Sequence, residues 1–294
     1  MSRPDQTANQ AIAFQGSHGA YSDMSCRAAY PNMTTLPCRN FEDAFAAVRD
    51  GRAALAMIPI DNTVAGRVAD IHHLLPDSGL HIIGEHFQPV NHHLLGAKGA
   101  MLEDITHVHS HIHALNQCRK FNKTHDLSPV DHVDTAGAAK DIAEWKDKTQ
   151  ASISSKLAAE IYDLTILAKD LEDTEHNTTR FVVMSKEPKV PAKTEGFVVT
   201  TFVFRVRNLP AALYKAMGGF ATNGINMTKL ESYLRGGFVA AQFYADVEGH
   251  PEDQAMKNAF EELNFFTHEV NILGTYPAHA YRIEQEYHPP TDPC

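Results

Sequence analysis

No run of 18 or more apolar residues occurs in this chain. A helix needs about 20 such residues to cross a bilayer, so no membrane-spanning helix is expected. Positive charge is also scarce: the formal net charge is −10 and no cluster of Lys and Arg offsets it. A phosphate-backbone ligand requires such a cluster, so nucleic acid is not an expected partner. Four cysteines, Cys26, Cys38, Cys118 and Cys294, stand far apart with no Cys-x-x-Cys spacing. That speaks against a disulfide frame and for a reducing compartment. The opening Met1-Ser2-Arg3-Pro4-Asp5-Gln6 is polar and lacks the apolar segment of a secretion signal. These absences predict a soluble, acidic, cytoplasmic protein.

Histidine, by contrast, is abundant, with 18 in 294 residues. The densest run, His107, His109, His111 and His113, has the alternation of one strand face. That invites a metal reading. No nearby Cys completes a site, and Ser110 followed by a helical pattern breaks the strand midway. The pairs His72-His73 and His92-His93 have the same weakness. The expectation is polar contacts without a metal.

The length predicts two domains, and 43% apolar residues suffice for their cores. The pattern alternates strand and helix from Ala11 onward, which predicts α/β layers with parallel pairing. Gln15-Gly16-Ser17-His18-Gly19-Ala20-Tyr21-Ser22 is a glycine loop opening a helix. It is not the G-x-G-x-x-G dinucleotide pattern, but a helix start offers free N–H groups to an anion. Ala53 to Ile60 reads as a buried strand ending in Asp61, Asn62 and Thr63. Polar residues there are where open α/β sheets place ligand contacts; helix capping is the competing reading. A second lobe, about residues 90–165, carries helix starts at Ser110 and Thr135. With Ser22, these three starts would form an anion pocket if they converge in a cleft.

Asp173 to Phe181 is a polar loop running into the β-branched strand Val182-Val183-Met184. Thr178 and Thr179 offer hydroxyls, Arg180 a planar guanidinium suited to carboxylates, and Phe181 an apolar wall. The set suits a small anionic substrate with an apolar body. A polar strand entry with one surface Arg is the plainer alternative. Lys186 to Lys193 is a proline-bearing linker. Beyond it the order βαββαβ over about 80 residues is the ferredoxin-like unit, with Arg235-Gly236-Gly237 as a hairpin turn. The tail from His279, with Pro289, Pro290 and Pro293, is expected to be disordered.

Five stretches, F-Q-G-S-H-G-A-Y-S (14–22), I-P-I-D-N-T-V-A-G (58–66), S-H-I-H-A-L-N-Q-C (110–118), D-T-A-G-A-A (134–139) and N-T-T-R-F (177–181), resemble prephenate dehydratases in their order. The segment that follows resembles an ACT regulatory domain. The resemblance implies a catalytic region at 10–186, similar to two-lobed periplasmic binding proteins, an ACT domain at 196–276 and a tail at 277–294. It implies the decarboxylative dehydration of prephenate to phenylpyruvate, water and CO₂. Aromatisation drives that reaction, so no metal or other cofactor is needed. Thr179, Arg180 and Phe181 are the implied catalytic motif. Ser22, Asn62, Thr63, Ser110, Thr135 and Asn177 are carried over as cleft residues, Asn177 to fix the loop presenting Thr179. Thr179 is expected to donate to the departing C4 oxygen, and Arg180 to grip the side-chain carboxylate. Asp61 and Thr63 stand where the family has Glu and Ser.

The ACT motifs depart further. The family's G-A-L reads Ala211-Ala212-Leu213, and its E-S-R-P reads Glu231-Ser232-Tyr233-Leu234. The resemblance implies L-phenylalanine as effector near Asn208 to Leu213 and around Asn223, Asn226 and Met227, at an interface between copies in a homodimer or homotetramer. Three readings compete: arogenate dehydratase, a non-catalytic amino-acid sensor, and a metal hydrolase using the His107–His113 run.

Overall fold

The computed structural model describes residues 10–193, 196–234 and 241–287. The expected turn at Arg235-Gly236-Gly237, the prolines 289, 290 and 293, and Cys294 lie outside the described residues. Among the described residues two compact units emerge: those up to Val68 with His86–Phe181, and Ala69–Glu85 with those from Val182 onward. No helix among the described residues is long and apolar enough to cross a membrane.

The chain begins with β1 (Ala11–Gln15), α1 (Tyr21–Ala29), β2 (Thr34–Cys38), α2 (Phe41–Arg49), β3 (Leu55–Asn62), β4 (Gly66–Arg67), α3 (Ala69–Leu74) and β5 (His81–Pro89). Each βα step is set by local chemistry. Asn40, for example, caps α2 by accepting from the Asp43 N–H at 2.8 Å, which satisfies a donor that the first turn leaves open. Strand β1, buried along most of its length, runs parallel to both β2 and β3, as expected for a strand covered on both faces.

The second lobe holds β6 (His93–Gly96), β7 (His107–Ser110), α4 (Ile112–Gln117), α5 (Arg119–Thr124), β8 (Ser128–Asp131), α6 (Thr135–Trp145), β9 (Gln150–Ser154), α7 (Lys156–Tyr162) and β10 (Thr165–Ala168). Its sheet order is β10-β6-β9-β7-β8. The parallel expectation holds for β7 with β8 and β9. It fails for β6, which runs antiparallel to β9 and β10. The chain enters and leaves this lobe through β6 and β10, and the two cannot run the same way. Leu94, Val108, Leu115, Cys118 and Ile153 form its core. The chain then returns as β11 (Thr178–Ser185), completing a first sheet of order β2-β1-β3-β11-β5.

The remainder is β12 (Val198–Val206), α8 (Ala212–Thr222), β13 (Met227–Leu234), β14 (Ala241–Glu248), α9 (Gln254–Phe266) and β15 (Thr267–Pro277). Its antiparallel order β13-β14-β12-β15 is that of the expected βαββαβ unit. Phe202, Phe220, Phe243, Met256 and Leu263 fill the space between sheet and helices. Gly219 lets α8 and α9 meet closely, since a Cβ there would lie 2.9 Å from that of Glu262.

Two expectations need correction. The tail past His279 is not wholly irregular: Ala280–Tyr287 forms α10. Arg282 holds it, with Nε 2.6 Å and Nη2 2.9 Å from the two Glu85 oxygens and Nη2 3.4 Å from Asp246. Both carboxylates are fully buried, and a buried charge demands a partner. Segment Ala69–Glu85, counted with the first domain on sequence, belongs to the second unit. Gly274 makes room for the backbone of Ile82, which a Cβ would strike, and His72 packs edge-on against Tyr233 and Tyr244.

Candidate active site

A cavity of about 280 Å³ lies in the first unit, walled by both lobes. The first lobe contributes the glycine loop, the start of α1, the end of β3 and β11. The second contributes α4 and the start of α6.

The loop is held rigidly. Asp23 accepts from the Gly19 N–H at 2.9 Å and from Arg27 Nε at 3.0 Å. Burial alone would raise the Asp23 pKa; these bonds outweigh it and lower the group. Gly19 has φ +89°, and a Cβ there would meet the Ala158 backbone at 2.8 Å. A side chain at that position would push the loop off α7. Ser155 donates to the Gly19 carbonyl and Tyr162 to that of His18. The first lobe's loop is thus tied to the second lobe.

Strand β11 alternates. Thr179 and Phe181 line the cavity, while Arg180, one residue between them, faces the other side. Arg180 is buried, its Nη1 3.8 Å from Asp61 Oδ2. The expected grip of Arg180 on substrate is therefore not what the cavity wall presents. Phe181 is 1% exposed and supplies the apolar face with Pro59, Val68, Val90 and Ala114.

Asn62 organises the polar side. Its Oδ1 accepts from the Val64 and Ala65 N–H groups at 2.9 and 2.7 Å. That fixes which end is the amide nitrogen. Nδ2 then donates to Thr179 Oγ1 at 2.9 Å and Asn177 Oδ1 at 2.7 Å. Asn177 Nδ2 donates to Gln117 Oε1 at 2.8 Å, and His92 Nε2 stands 2.8 Å from the same oxygen. Because that oxygen only accepts, His92 carries its proton on Nε2. The Tyr21 hydroxyl lies 2.6 Å from the Asn91 carbonyl and 3.0 Å from His92 Nδ1. Burial lowers the His92 pKa, against the opposing pull of Gln117 and Glu172. Burial, followed by Cys118 and Glu172, raises Tyr21. The residues from Tyr21 to Thr179 thus form a neutral network in which Gln117 Oε1 accepts from both sides and Asn62 Nδ2 donates to both of its partners.

Of the remaining expected residues, Ser22 and Thr135 line the cavity. Thr63 stands outside its wall: Thr63 Oγ1 donates to the His176 carbonyl and accepts from the Thr178 N–H, each at 2.9 Å, strapping the loop that leads to Thr179. Ser110 does not face the cleft. It is fully buried and donates to the Ile153 carbonyl at 2.6 Å, because it ends β7 and the helix cap falls one residue later, on His111. Likewise the cap of α6 is Asp134, with Thr135 its first helical residue. Gln117, Tyr21 and Asp134 were not singled out from the sequence, and His92 was weighed there only as half of a histidine pair. Gln117 and Asp134 lay inside quoted motifs, and a polar residue at the inward position of a short helix was the available signal.

Among the described residues the cavity wall has no Lys or Arg, and Asp134 is its single acid. Burial keeps His111 toward its neutral form, with His113 adding to the effect. Donors for an anion are the first-turn N–H groups of α1, whose cap residue, Ala20, makes no side-chain bond to them; at α6 the Asp134 carboxylate already accepts from the Gly137 N–H at 2.6 Å. Among the described residues no three metal-ligating side chains converge. His109 instead bonds Gln150 Oε1 at 2.7 Å and packs edge-on against Trp145.

In the C-terminal unit the expected effector residues are spread out. Ala211, which caps α8, has φ +56°. Asn208 and Leu213 flank it at that end of α8, beside Ala212. Asn223 and Asn226 stand at the other, bonded to the Gly219 carbonyl and to Glu248. Met227, Glu231 and Ser232 follow on β13, with Glu231 3.4 Å from Lys229 Nζ.

The family model described as Prephenate dehydratase matches residues 12–189. A Komagataeibacter europaeus protein named bifunctional N-acyl-homoserine lactone acylase/prephenate dehydratase is 53% identical, over 92% of this chain and 97% of its own length. An Arabidopsis thaliana chloroplastic arogenate dehydratase/prephenate dehydratase 2 is 38% identical, over 90% of this chain and 72% of its own. The crystal structure of an Arthrobacter aurescens prephenate dehydratase in complex with L-Phe superposes with a TM-score of 0.82 at 29% identity, covering 91% of this chain and 90% of that one.

Proposed function

The chain belongs to the prephenate dehydratase family of lyases, and from that premise we propose that it converts prephenate to phenylpyruvate, water and CO₂. One observation carries the reading. Thr179 Oγ1 faces the cavity and accepts from Asn62 Nδ2 at 2.9 Å. Its own proton is left to point at a ligand. The C4–O bond breaks as Thr179 hydrogen-bonds to the departing oxygen, which leaves as water with a proton passed through that hydroxyl from solvent, so that Thr179 ends the step protonated. The ring C–CO₂⁻ bond breaks at the same time, and its electron pair completes the aromatic ring.

A cation on the departing carboxylate would hold electrons that must flow into the ring. The apolar wall around Phe181 avoids that, and a carboxylate gains energy by leaving such a wall as CO₂. The carboxylate that survives is bound by the first-turn N–H groups of α1, which no side chain caps. Arg180 acts through Asp61 to hold the end of β3 and so the Asn62 loop.

L-phenylalanine is the proposed effector. The related structure contains it. Within one chain the two halves of the expected site lie at opposite ends of α8, an 11-residue helix, about 16 Å long. A second copy would have to supply one half, which supports an effector site between copies in a homodimer or larger assembly. Purified protein should form phenylpyruvate from prephenate, read by its absorbance in alkali, and do so more slowly with phenylalanine. No product sinks the dehydratase reading; an unchanged rate sinks only the effector.

The 53% identity over nearly the whole of the bifunctional relative favours a second activity, hydrolysis of N-acyl-homoserine lactones. Release of free homoserine lactone, followed by mass spectrometry, tests it.

A further inference from the structure

A second cavity, of about 540 Å³, adjoins the first within the same unit. Gln15, Gly16, Val133 and Asp134 line both. Val133 is 83% exposed, so this shared partition reaches the rim, where the two cavities open side by side. The charge on their walls differs. Among the described residues the inner cavity has one acid and no Lys or Arg. The second sets Arg39 and Lys140 against that same acid, Asp134. Arg39 follows β2 in the first lobe and Lys140 lies on α6 in the second. The two cations therefore line one space from both lobes.

Neither cation is consumed by the fold. Both are exposed, and no ion pair among the described residues engages Arg39. Lys140 Nζ stands 3.7 Å from Glu144, one turn on, a surface pair of little worth. Asp134 is held on the partition instead, accepting from the Gly137 N–H at 2.6 Å and from Ser17 Oγ at 3.2 Å. Pro37, Val133 and Ile161 add apolar surface beside the cations.

The whole chain carries a net charge of −10, and prephenate carries two carboxylates. The protein as a whole therefore repels its substrate, and the inner wall has no cation to reverse that. A cleft mouth of concentrated positive charge reverses it locally and raises association by about 10–10³-fold.

We propose that Arg39 and Lys140 form a capture site for the dianionic substrate at the mouth of the cleft, from which it crosses the Gly16 and Val133 partition into the inner cavity. The proposal rests on the dehydratase reading of that cavity. Both cations stay behind when the substrate moves inward. Attraction is thus kept apart from the space where a cation beside the ring carboxylate would oppose its loss.

The experiment measures kcat and KM for prephenate over a salt series in the full-length protein, in Arg39→Gln, in Lys140→Gln and in the double variant. Kcat/KM of the parent should fall as salt screens the exposed cations. The double variant should lose about tenfold in kcat/KM at low salt, through KM and with kcat within about twofold of the parent, and its salt dependence should flatten. Each single variant should show part of the loss and carries the test if the double variant does not fold. Arg39→Lys keeps the charge and should keep most of kcat/KM. Lys257→Gln, on α9, removes the same charge elsewhere and should keep the parent's profile. A double variant with the parent's salt profile overturns the capture site, as does an equal effect from Lys257→Gln or a loss confined to kcat. A parent that forms no phenylpyruvate overturns the dehydratase reading itself, and this inference with it.

Discussion

Thr179 and Arg180 are neighbours in sequence and face opposite sides of β11, so they should fail differently when changed. Thr179→Ala should lower kcat by roughly 10²–10⁴-fold, the usual worth of general-acid help, with a smaller change in KM. Thr179→Ser should keep most of the activity, because the hydroxyl and its Asn62 bond remain. A near-normal kcat in the alanine variant would remove Thr179 from the chemistry. Arg180→Met should act first on stability, since it strips Asp61 of a buried counter-charge. A loss of about 2 kcal/mol in denaturant titration is expected, below the full cost of a wholly buried pair because Asp61 stays partly solvated. A large rise in KM with unchanged stability would instead restore Arg180 to the substrate.

At the level of elements, two short features carry unusual weight. Ala211 holds a left-handed backbone, a conformation that costs a non-glycine residue about 1–2 kcal/mol. Ala211→Gly should therefore raise the Tm, with a gain of up to about 1 kcal/mol after the added freedom of the unfolded chain is subtracted. A lower Tm would show that the left-handed turn is not populated. Helix α10 is fastened by Arg282 to two buried carboxylates. Arg282→Met should destabilise the C-terminal unit by about 3–5 kcal/mol and speed amide exchange in α10. Both effects arise from the tertiary partners of these residues, not from the local propensities of their segments.

For the molecule as a whole, pH is the informative variable. Burial lowers the pKa of His92, His93 and His111. Such a histidine binds fewer protons folded than unfolded. Its contribution is present above the ordinary histidine range and is lost as pH falls through it. Asp23, lowered by its bonds to Gly19 and Arg27, adds a further loss lower down, as pH falls through the carboxylate range. The Tm should drop between pH 8 and 5.5, and His92→Gln should flatten part of that drop. A Tm that rises toward acid would contradict the neutral network around Gln117.

Much of this molecule could be read along the chain. The alternation of apolar strands and capped helices, the linker before β12 and the βαββαβ order follow from periodicity, which is a local property. The ordered motifs marked which loops matter, and Asn62, Asn177 and Thr179 do meet through one hydrogen-bonded chain. Local pattern could not show direction. Ser110 and Arg180 carry apt chemistry, yet strand alternation turns one into the sheet and the other away from the cavity. Nor could it show that His92, Gln117 and Asp134, far apart in sequence, would share one wall. Which polar groups end up desolvated side by side depends on how two lobes close around a space, and long-range packing alone decides that.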